Sequence, residues 1–258
     1  SGEFALLGGD YGEPGLRTNT TNVLGDFNVL NGMILYVYGD CYTISATPVD
    51  YACYNKTSDG RGVWINVSGN ITLEEGGIIS GYNLGFHASG PGYGVNDGGT
   101  YGGKGMSSLT NPYGNATAPV SLGSGSASSG GSAIKLETTG IIDASGIINI
   151  SGGYASYYAS SGGSIWLKAN NITGTGNLVA KGGSAGTTTY DGGGGGRIRL
   201  EYGNSMSYSG LINLEGGKNP SLSFNPLALG TLTFTNNTWP NNWNVNGSFG
   251  LLGGNYGE

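Results

Sequence analysis

The chain has 258 residues, of which 54 are glycine, and only 10% of its residues are charged. A net charge of -6 with only 10 Lys and Arg residues excludes the basic surface that nucleic-acid binding requires. Glycine shows no three-residue period, which excludes collagen, and the apolar residues alternate in well-bounded runs, which argues against a disordered tract.

The first predicted element, Phe4–Glu13, returns at residues 249–258 with two differences, Ala5/Gly250 and Asp10/Asn255. Self-similarity at so long an offset predicts that the chain is about one period of a longer array. Arrays of identical units are typical of fibres, stalks and coats, so the repeat favours a structural polymer over an enzyme. The alternative is a pair of related strands that contact each other within one domain.

The two cysteines, Cys41 and Cys53, lie close together in a stretch rich in Tyr and Thr. A zinc site needs a second Cys or His pair, which this stretch lacks, so a disulfide is the better interpretation. Closing so short a loop would stabilise the fold by about 3 kcal/mol in the chain-entropy model. Two unpaired buried thiols are the alternative. A disulfide indicates an oxidising, extracellular environment.

Nine Asn-X-Ser/Thr sequences point in the same direction, since they are acceptors for N-linked glycans in secreted proteins. They begin at Asn19, Asn55, Asn66, Asn70, Asn115, Asn149, Asn171, Asn236 and Asn246. Between Val63 and Leu73 the apolar residues alternate with polar ones, which predicts a strand pattern with the acceptor asparagines facing solvent. We therefore expect covalent glycans on an extracellular or cell-surface protein.

A shorter repeat follows, in which a glycine and a spacer precede two apolar residues separated by one position. Its lead residues are spaced by 31, 33 and 34 positions, and they are Ile134, Ile165, Ile198 and Leu232. A second apolar run follows each of the first three, starting at Gly146, Gly176 and Gly210. Strands this short cannot bury a face alone, so each run should stack beside its counterpart. The pattern predicts an all-β fold, a right-handed parallel β-helix with coils of about 32 residues and long Gly-rich loops.

Glycine should have two uses in such a fold: positive φ at corners, and close approach of two backbones at Gly192–Gly196. A phosphate-binding loop requires a helix after the glycines, whereas Arg197–Leu200 has the pattern of a strand. A calcium-binding repeat requires regularly placed aspartates, and Asp191 stands alone among these glycines. We therefore expect no cofactor and no metal.

Four glycine-rich stretches, residues 113–125, 130–137, 162–167 and 192–199, resemble the glycine-rich β-helical repeats of giant secreted or surface proteins of protists, algae and bacteria. The resemblance covers about residues 62–235. It implies an extracellular structural or adhesive role, as in flagellar hairs (mastigonemes) or surface fibres, with no known catalytic site to carry over. Residues 1–61 are then a β-rich flank with the disulfide, and residues 236–258 a linker and assembly segment.

The flanks suggest that copies of the chain assemble head to tail, because the open ends of a β-helix expose unpaired backbone groups. The residues expected at the contact are Phe4, Leu6, Leu7, Trp239, Trp243, Phe249, Leu251 and Leu252. Trp239 and Trp243 could instead cap a monomer. The longest apolar run, Met33–Tyr38, is too short to cross a bilayer, so no membrane span is expected in this segment.

Two other functions fit parts of the sequence. Polysaccharide lyases and hydrolases with a β-helix need clustered carboxylates, but the single histidine, His87, and the acids Asp97, Asp143 and Asp191 are scattered. Arg197 and Arg199 have no paired aspartates to accompany them, so we expect no enzyme. A glycan-binding adhesin is the stronger alternative, with exposed tyrosines such as Tyr154, Tyr157 and Tyr158 stacking on sugars.

Overall fold

A computed structural model describes residues 2–7, 20–39, 60–93, 96–221 and 228–235. Within these ranges the protein is all-β, with fifteen strands and no α-helix. The strands are β1 (Gly2–Leu7), β2 (Thr20–Val23), β3 (Phe27–Val29), β4 (Met33–Tyr38), β5 (Val63–Val67), β6 (Ile71–Leu73), β7 (Ile78–Ser80), β8 (Ala133–Thr138), β9 (Ile141–Ala144), β10 (Ile147–Asn149), β11 (Ser164–Thr173), β12 (Asn177–Val179), β13 (Arg197–Met206), β14 (Leu211–Asn213) and β15 (Thr231–Phe234).

The strands form two sheets, and every pairing between them is parallel. Sheet A has six strands in the order β1-β4-β7-β10-β12-β14. Sheet B has nine strands: it runs β2-β5-β8-β11-β9-β6-β3, with β13 beside β11 and β15 beside β13. Parallel pairing of successive strands requires the chain to return to the same side between them, which it does through long connections.

The ten-residue strand β11 explains why sheet B appears to fold back on itself. Its first half pairs with β8 and its second half with β9, and its register with β13 shifts between Ala169 and Asn171. The strands therefore come in triplets along the chain, such as β5, β6 and β7 followed by β8, β9 and β10. Each member of a triplet pairs with the same member of the next triplet.

The stacking expected from the 31- to 34-residue repeat is confirmed residue by residue. Ile165 lies between Ile134 and Ile198, and Leu232 is paired with Ile198 on its other side. The second runs stack in the same way, with Ile148, Leu178 and Ile212 in one row of sheet A. Local alternation and a constant spacing were enough to predict these pairings.

Both sheets extend to the N-terminal side of the predicted repeat. In sheet B, β2 pairs with β5 and β3 with β6, while in sheet A β4 pairs with β7. Residues 20–38 therefore form a triplet like the later ones, although they lack the glycine-led pattern of the repeat. The flank assigned to residues 1–61 shares its sheets with residues 62–235.

The core consists of rows of apolar side chains that run across the sheets. One row in sheet A joins Leu35, Ile79, Ile148, Leu178 and Ile212, all of them buried. A parallel row in sheet B begins at Ile65 and passes through Leu136, Leu167 and Leu200. Burying each such side chain stabilises the fold by roughly 1.5–3 kcal/mol relative to exposure.

A second region, which we call the glycine layer, consists of the described part of residues 84–132 together with the loops 151–163 and 180–196. Backbone hydrogen bonds join its distant segments. The Gly194 N–H donates to the Gly99 carbonyl at 2.8 Å, and the Gly194 carbonyl accepts from the Gly162 N–H at 2.9 Å. The Gly123 N–H donates to the Gly131 carbonyl at 2.8 Å. The layer is therefore a network of main chains packed directly against each other.

Most of the layer needs glycine for space. A Cβ on Gly163 would collide with the Ser132 carbonyl oxygen, and a Cβ on Gly194 would collide with that of Gly103, although neither glycine has a positive φ. The close backbone approach predicted for Gly192–Gly196 is confirmed, since a Cβ on any of the five would meet another main chain. Positive φ is confined to turns such as Gly174, at +116°, just before β12.

Candidate functional site

The sheets end in strands that have a described neighbour on one side only. At one end, which we call the N-end, these are β1, β2 and β3; at the other, the C-end, they are β14, β15 and the second half of β13. An edge strand presents a row of N–H and C=O groups to any strand that can pair with it. Both ends are therefore candidate sites for adding a strand in parallel.

The core is closed along its length and open at the same two ends. Six apolar side chains pack against it while remaining only partly buried: at the N-end Leu6, Val23, Phe27 and Met33, and at the C-end Met206 and Phe234. Every one of them belongs to the first or the last strands of the sheets. The partial burial therefore reflects missing neighbours at the ends rather than loose packing within the core.

A pocket of about 310 Å³ marks the N-end. Phe4 and Leu6 of β1 form one wall, Phe27 and Met33 another, and Thr21 of β2 lies at its side. Phe4 is paired with the buried Leu35, so its side chain points to the interior, yet 59% of it is exposed. Such a pocket is suited to apolar side chains from a partner that extends the core.

Two of the predicted assembly residues, Phe4 and Leu6, thus lie together in this pocket. Leu7 ends β1, where its backbone pairs with that of Tyr38. The remaining predicted contact residues lie outside the described residues: Trp239, Trp243, Phe249, Leu251 and Leu252. The same is true of the predicted disulfide partners, Cys41 and Cys53.

Five of the nine predicted glycan acceptors are described. Three are exposed, namely Asn66, Asn70 and Asn115, and two are half-buried, Asn149 and Asn171. The predicted alternation is confirmed at β5, where Asn66 faces out between the buried Ile65 and Val67. The other four acceptors fall outside the described ranges: Asn19, Asn55, Asn236 and Asn246.

Asn115 has the most accessible geometry of the five. It lies in the glycine layer, where its Oδ1 accepts hydrogen bonds from the backbone N–H of Thr117 at 2.8 Å and from the Thr117 hydroxyl at 2.9 Å. Both bonds use the oxygen, which leaves the amide nitrogen, the atom that carries a glycan, facing outward. By contrast the amide nitrogen of Asn66 donates to Oδ1 of Asn22 at 3.0 Å.

The outer face of sheet B carries a row of stacked aromatic and cationic side chains that the sequence analysis missed. The Lys135 ammonium lies between two indole rings, 3.8 Å from the centroid of Trp64 and 4.2 Å from that of Trp166. The Arg199 guanidinium continues the row, 5.8 Å from Trp166. Cation–π contacts of this kind stabilise by roughly 0.5–2 kcal/mol each. The repeat did hold a signal, because these residues fill its outward-facing positions.

A row of ion pairs runs beside the aromatic one. Lys168 joins Glu137 at 2.9 Å and Glu201 at 3.8 Å, while Lys135 reaches Glu137 at 2.6 Å. Burial raises the pKa of Glu137, but its hydrogen bonds to Lys135 and Lys168 outweigh burial and the net shift is downward. The hydrogen bond to Glu137 correspondingly raises the pKa of Lys168. These side chains line a groove of about 750 Å³ that also contains Asn66.

The acids treated as scattered are partly brought together. Burial is the main cause that raises the pKa of Asp191, a hydrogen bond with Ser107 opposes it, and the charge of Asp97 adds to the increase. Asp143 is apart from them and accepts a hydrogen bond from the Ser145 hydroxyl at 2.6 Å. The described residues bring together no group of three His, Cys, Asp or Glu side chains that could hold a metal.

The remaining predicted candidates have structural partners. Nδ1 of His87 lies 3.0 Å from the Ser129 hydroxyl, in a loop joined to that residue by a β-bridge. The Arg197 guanidinium is buried, donates to the Tyr113 carbonyl at 2.7 Å and lies 5.2 Å from the Tyr101 ring. It connects the glycine layer to the outer face of sheet B.

The tyrosines proposed as sugar platforms divide into two groups. Tyr157 and Tyr158 both contact the ring of Tyr190 edge to face, at centroid distances of 4.8 and 4.9 Å. Tyr154 stands apart and 59% of it is exposed. A free aromatic face is what sugar stacking requires, so Tyr154 fits that role best.

No protein-family model, curated protein or solved structure matches this chain. In the part of the chain that the structure describes, no helix is both long enough and apolar enough to span a membrane. The interpretation of function therefore depends on the geometry of the ends, the outer face and the glycan acceptors.

Proposed function

We propose that the strand triplets are successive coils of a right-handed parallel β-helix, as the sequence predicts. All pairings between neighbouring triplets are parallel and each row of the core runs through them in the same order, which supports this interpretation. A polymer built along the direction of stacking would use the two ends as its contacts.

We further propose that the protein is a structural subunit of an extracellular, N-glycosylated filament, assembled head to tail by strand contacts between copies. The observation that carries this proposal is the pair of open ends, where edge strands and an apolar pocket adjoin β1, the strand whose sequence returns at residues 249–252. Contacts between different ends of identical units do not close into rings unless the rotation allows it, so they produce filaments. No catalytic role is part of the proposal.

Extracellular localisation is proposed from the glycan acceptors and the cysteine pair. Three acceptors are exposed in the described residues, and Asn115 has its amide nitrogen directed outward. The resemblance to the glycine-rich proteins of surface fibres and flagellar hairs belongs to this proposal as well. Covalent glycans along the sides would leave the two ends free for assembly.

Electron microscopy and sedimentation of the secreted protein test this function, with Thr21→Glu as the decisive variant. Thr21 is exposed in the N-end pocket, so a charge there costs the single copy little but would be buried without a partner in a head-to-tail contact. We expect filaments from the unmodified chain and single copies from Thr21→Glu. Thr139→Glu, at an exposed turn between β8 and β9, is the matched control and should still assemble. Dispersed unmodified protein would contradict the proposal.

A glycan-binding surface adhesin is the second candidate, favoured by the exposed ring of Tyr154. Binding to an array of polysaccharides tests it, with Tyr154→Ala compared against Tyr82→Ala, an equally large change at another partly exposed ring. Selective loss of binding in Tyr154→Ala would favour the adhesin, whereas no binding by the unmodified protein would remove it.

A further inference from the structure

We propose that copies of this chain meet in one fixed register, in which β15 of one copy pairs in parallel with β2 of the next and sheet A continues from β14 to the next β1. The inference rests on the proposed head-to-tail assembly and adds the pairing partners, the alignment of residues and the contacting side chains. The occupant of the N-end is thus the C-end of a second copy.

The spacing of residues along the chain sets the register in sheet B. Arg197 and Thr231 are partners in neighbouring strands and are 34 residues apart. The distance from Phe4 to Phe249 defines a period of 245 residues. Counted through that period, Thr20 of the following copy comes 34 residues after Thr231. The spacing that holds within one copy is therefore reproduced across the junction.

Sheet A leads to the same alignment. Its interior row begins at Phe4, which is paired with Leu35, and ends at Ile212 in β14. Leu178 and Ile212 are partners 34 residues apart, and Phe249 comes 37 residues after Ile212. The position beyond Ile212 thus falls on the sequence of β1. That position receives the same Phe and Leu side chains whether the next β1 or residues 249–252 fill it.

Side-chain direction agrees with this register. In β15 Leu232 and Phe234 face the core, since their partners Ile198 and Leu200 are buried there, and Thr233 faces out. In β2 Thr21 faces the core beside Ile65. The proposed alignment pairs inward residues with inward ones, namely Leu232 with Thr21 and Phe234 with Val23. A slip by one residue would turn Asn22 toward the core, which parallel pairing of two half-buried strands forbids.

The contact would also complete the burial of the partly exposed ends. Phe234 at the C-end and Val23 at the N-end are two of the six apolar side chains that pack against the core while only partly buried. The register brings them together, along with the walls of the N-end pocket. Edge-strand backbone groups and apolar side chains are thus satisfied by one contact.

Cysteine pairing between two variants measures the register. Asn22→Cys and Thr233→Cys, each expressed in the full chain, are mixed and oxidised, and disulfide-linked dimers are scored on non-reducing gels. Adjacent residues of paired strands have Cα atoms about 5 Å apart, within disulfide range, whereas an offset of two residues gives about 8 Å, beyond it. Asn22→Cys mixed with Thr231→Cys is therefore the out-of-register control, and the unmodified chain gives the baseline from Cys41 and Cys53.

We expect the Asn22→Cys and Thr233→Cys mixture to form dimers at several times the yield of the control mixture. Equal yields, or dimers formed by Asn22→Cys alone, would overturn the register, the latter because it requires two N-ends to meet. Filaments in the microscope with the wrong cross-linking pattern would contradict this inference and leave the proposed function standing. Absence of any association in the unmodified protein would contradict both. Thermal unfolding of each variant confirms that the cysteines leave the fold intact.

Discussion

The core between the sheets and the glycine layer are held together by opposite means. In the core, wholly buried side chains such as Leu167 and Ile148 fill the space between strands. In the glycine layer, main chains touch each other and the one apolar cluster found among its described residues and their neighbours contains only Phe86, Leu122 and Ala133. Side-chain volume should therefore stabilise one region and destabilise the other.

The two regions also differ in how their stability accumulates. Each wholly buried side chain of the core contributes roughly 1.5–3 kcal/mol, so a few residues dominate. Each backbone hydrogen bond of the glycine layer contributes only about 0.5–1.5 kcal/mol, and each glycine loses more conformational entropy on folding than any other residue. The layer therefore depends on many weak bonds that form together.

Removing volume from the core should give the largest effect. Leu167 is wholly buried and lies between Leu136 and Leu200, so Leu167→Ala should leave a cavity and lower the free energy of unfolding by about 2–5 kcal/mol. Denaturant unfolding measures the change. Leu109→Ala is the control, since Leu109 is 88% exposed and its loss should cost within about 0.5 kcal/mol. Similar losses for both variants would contradict the description of the core.

Adding volume to the glycine layer should have the next largest effect. A Cβ on Gly163 would collide with the Ser132 carbonyl oxygen, so Gly163→Ala must move one main chain and should cost about 1–3 kcal/mol. Gly203→Ala is the matched control: Gly203 also lacks a positive φ, but its near neighbours within 4 Å are all atoms of the exposed Asn170. The control should be neutral or stabilise by up to about 1 kcal/mol. Equal destabilisation by both would refute the close-packed layer.

The same contrast explains which parts of the fold could be predicted from sequence. The stacking of Ile134, Ile165, Ile198 and Leu232 was predictable because alternation and spacing are written in side chains. The glycine layer was not, because glycine carries no side-chain pattern and its partners, such as Gly99 and Gly194, are far apart in sequence. Only the close approach at Gly192–Gly196 could be inferred, from the unbroken run of glycines.

The candidate site was predictable to a similar extent. Phe4 and Leu6 were found through the repeated segment, and Asn66 through strand alternation. The row formed by Trp64, Lys135 and Trp166 was missed, because its members are neighbours only after register is known, and two insertions separate β5 from the earlier strands and from β8. The contact of Asp191 with the field of Asp97 was missed for the same reason.

Acidification should affect the outer face of sheet B, with a smaller effect than either volume change. The pKa of Glu137 is lowered in the folded protein, so its ion pairs stabilise the fold above the ordinary pKa of glutamate, and this contribution is lost as the pH falls through the lowered pKa. Thermal unfolding of the unmodified protein and of Glu137→Gln should differ at about pH 7, by at most about 1 kcal/mol, and converge near about pH 3.

Glu137→Gln isolates this effect from the opposite contribution of Asp191, whose pKa is raised and which therefore favours the folded state at low pH. Lys168→Met provides a second comparison, because it removes the shared partner of Glu137 and Glu201. A difference between unmodified protein and Glu137→Gln that stayed constant from about pH 7 to about pH 3 would show that the ion pairs do not determine it.

Glycan attachment separates the two regions with the smallest expected effect on stability. Asn115, in the glycine layer, is exposed with both hydrogen bonds on its oxygen, whereas Asn149, in β10, is half-buried and its oxygen accepts from the Ser151 N–H at 3.1 Å. In protein secreted from eukaryotic cells, we expect peptide mass spectrometry to find higher occupancy at Asn115 than at Asn149, since a glycan needs open space beside the amide nitrogen. Asn115→Gln should remove that glycan and change the free energy of unfolding by within about 0.5 kcal/mol, because an exposed side chain on the layer's surface supports none of the main-chain contacts beneath it. Preferential occupancy of Asn149 would instead place open space beside the sheets and close packing at the surface of the layer, the reverse of the observed arrangement.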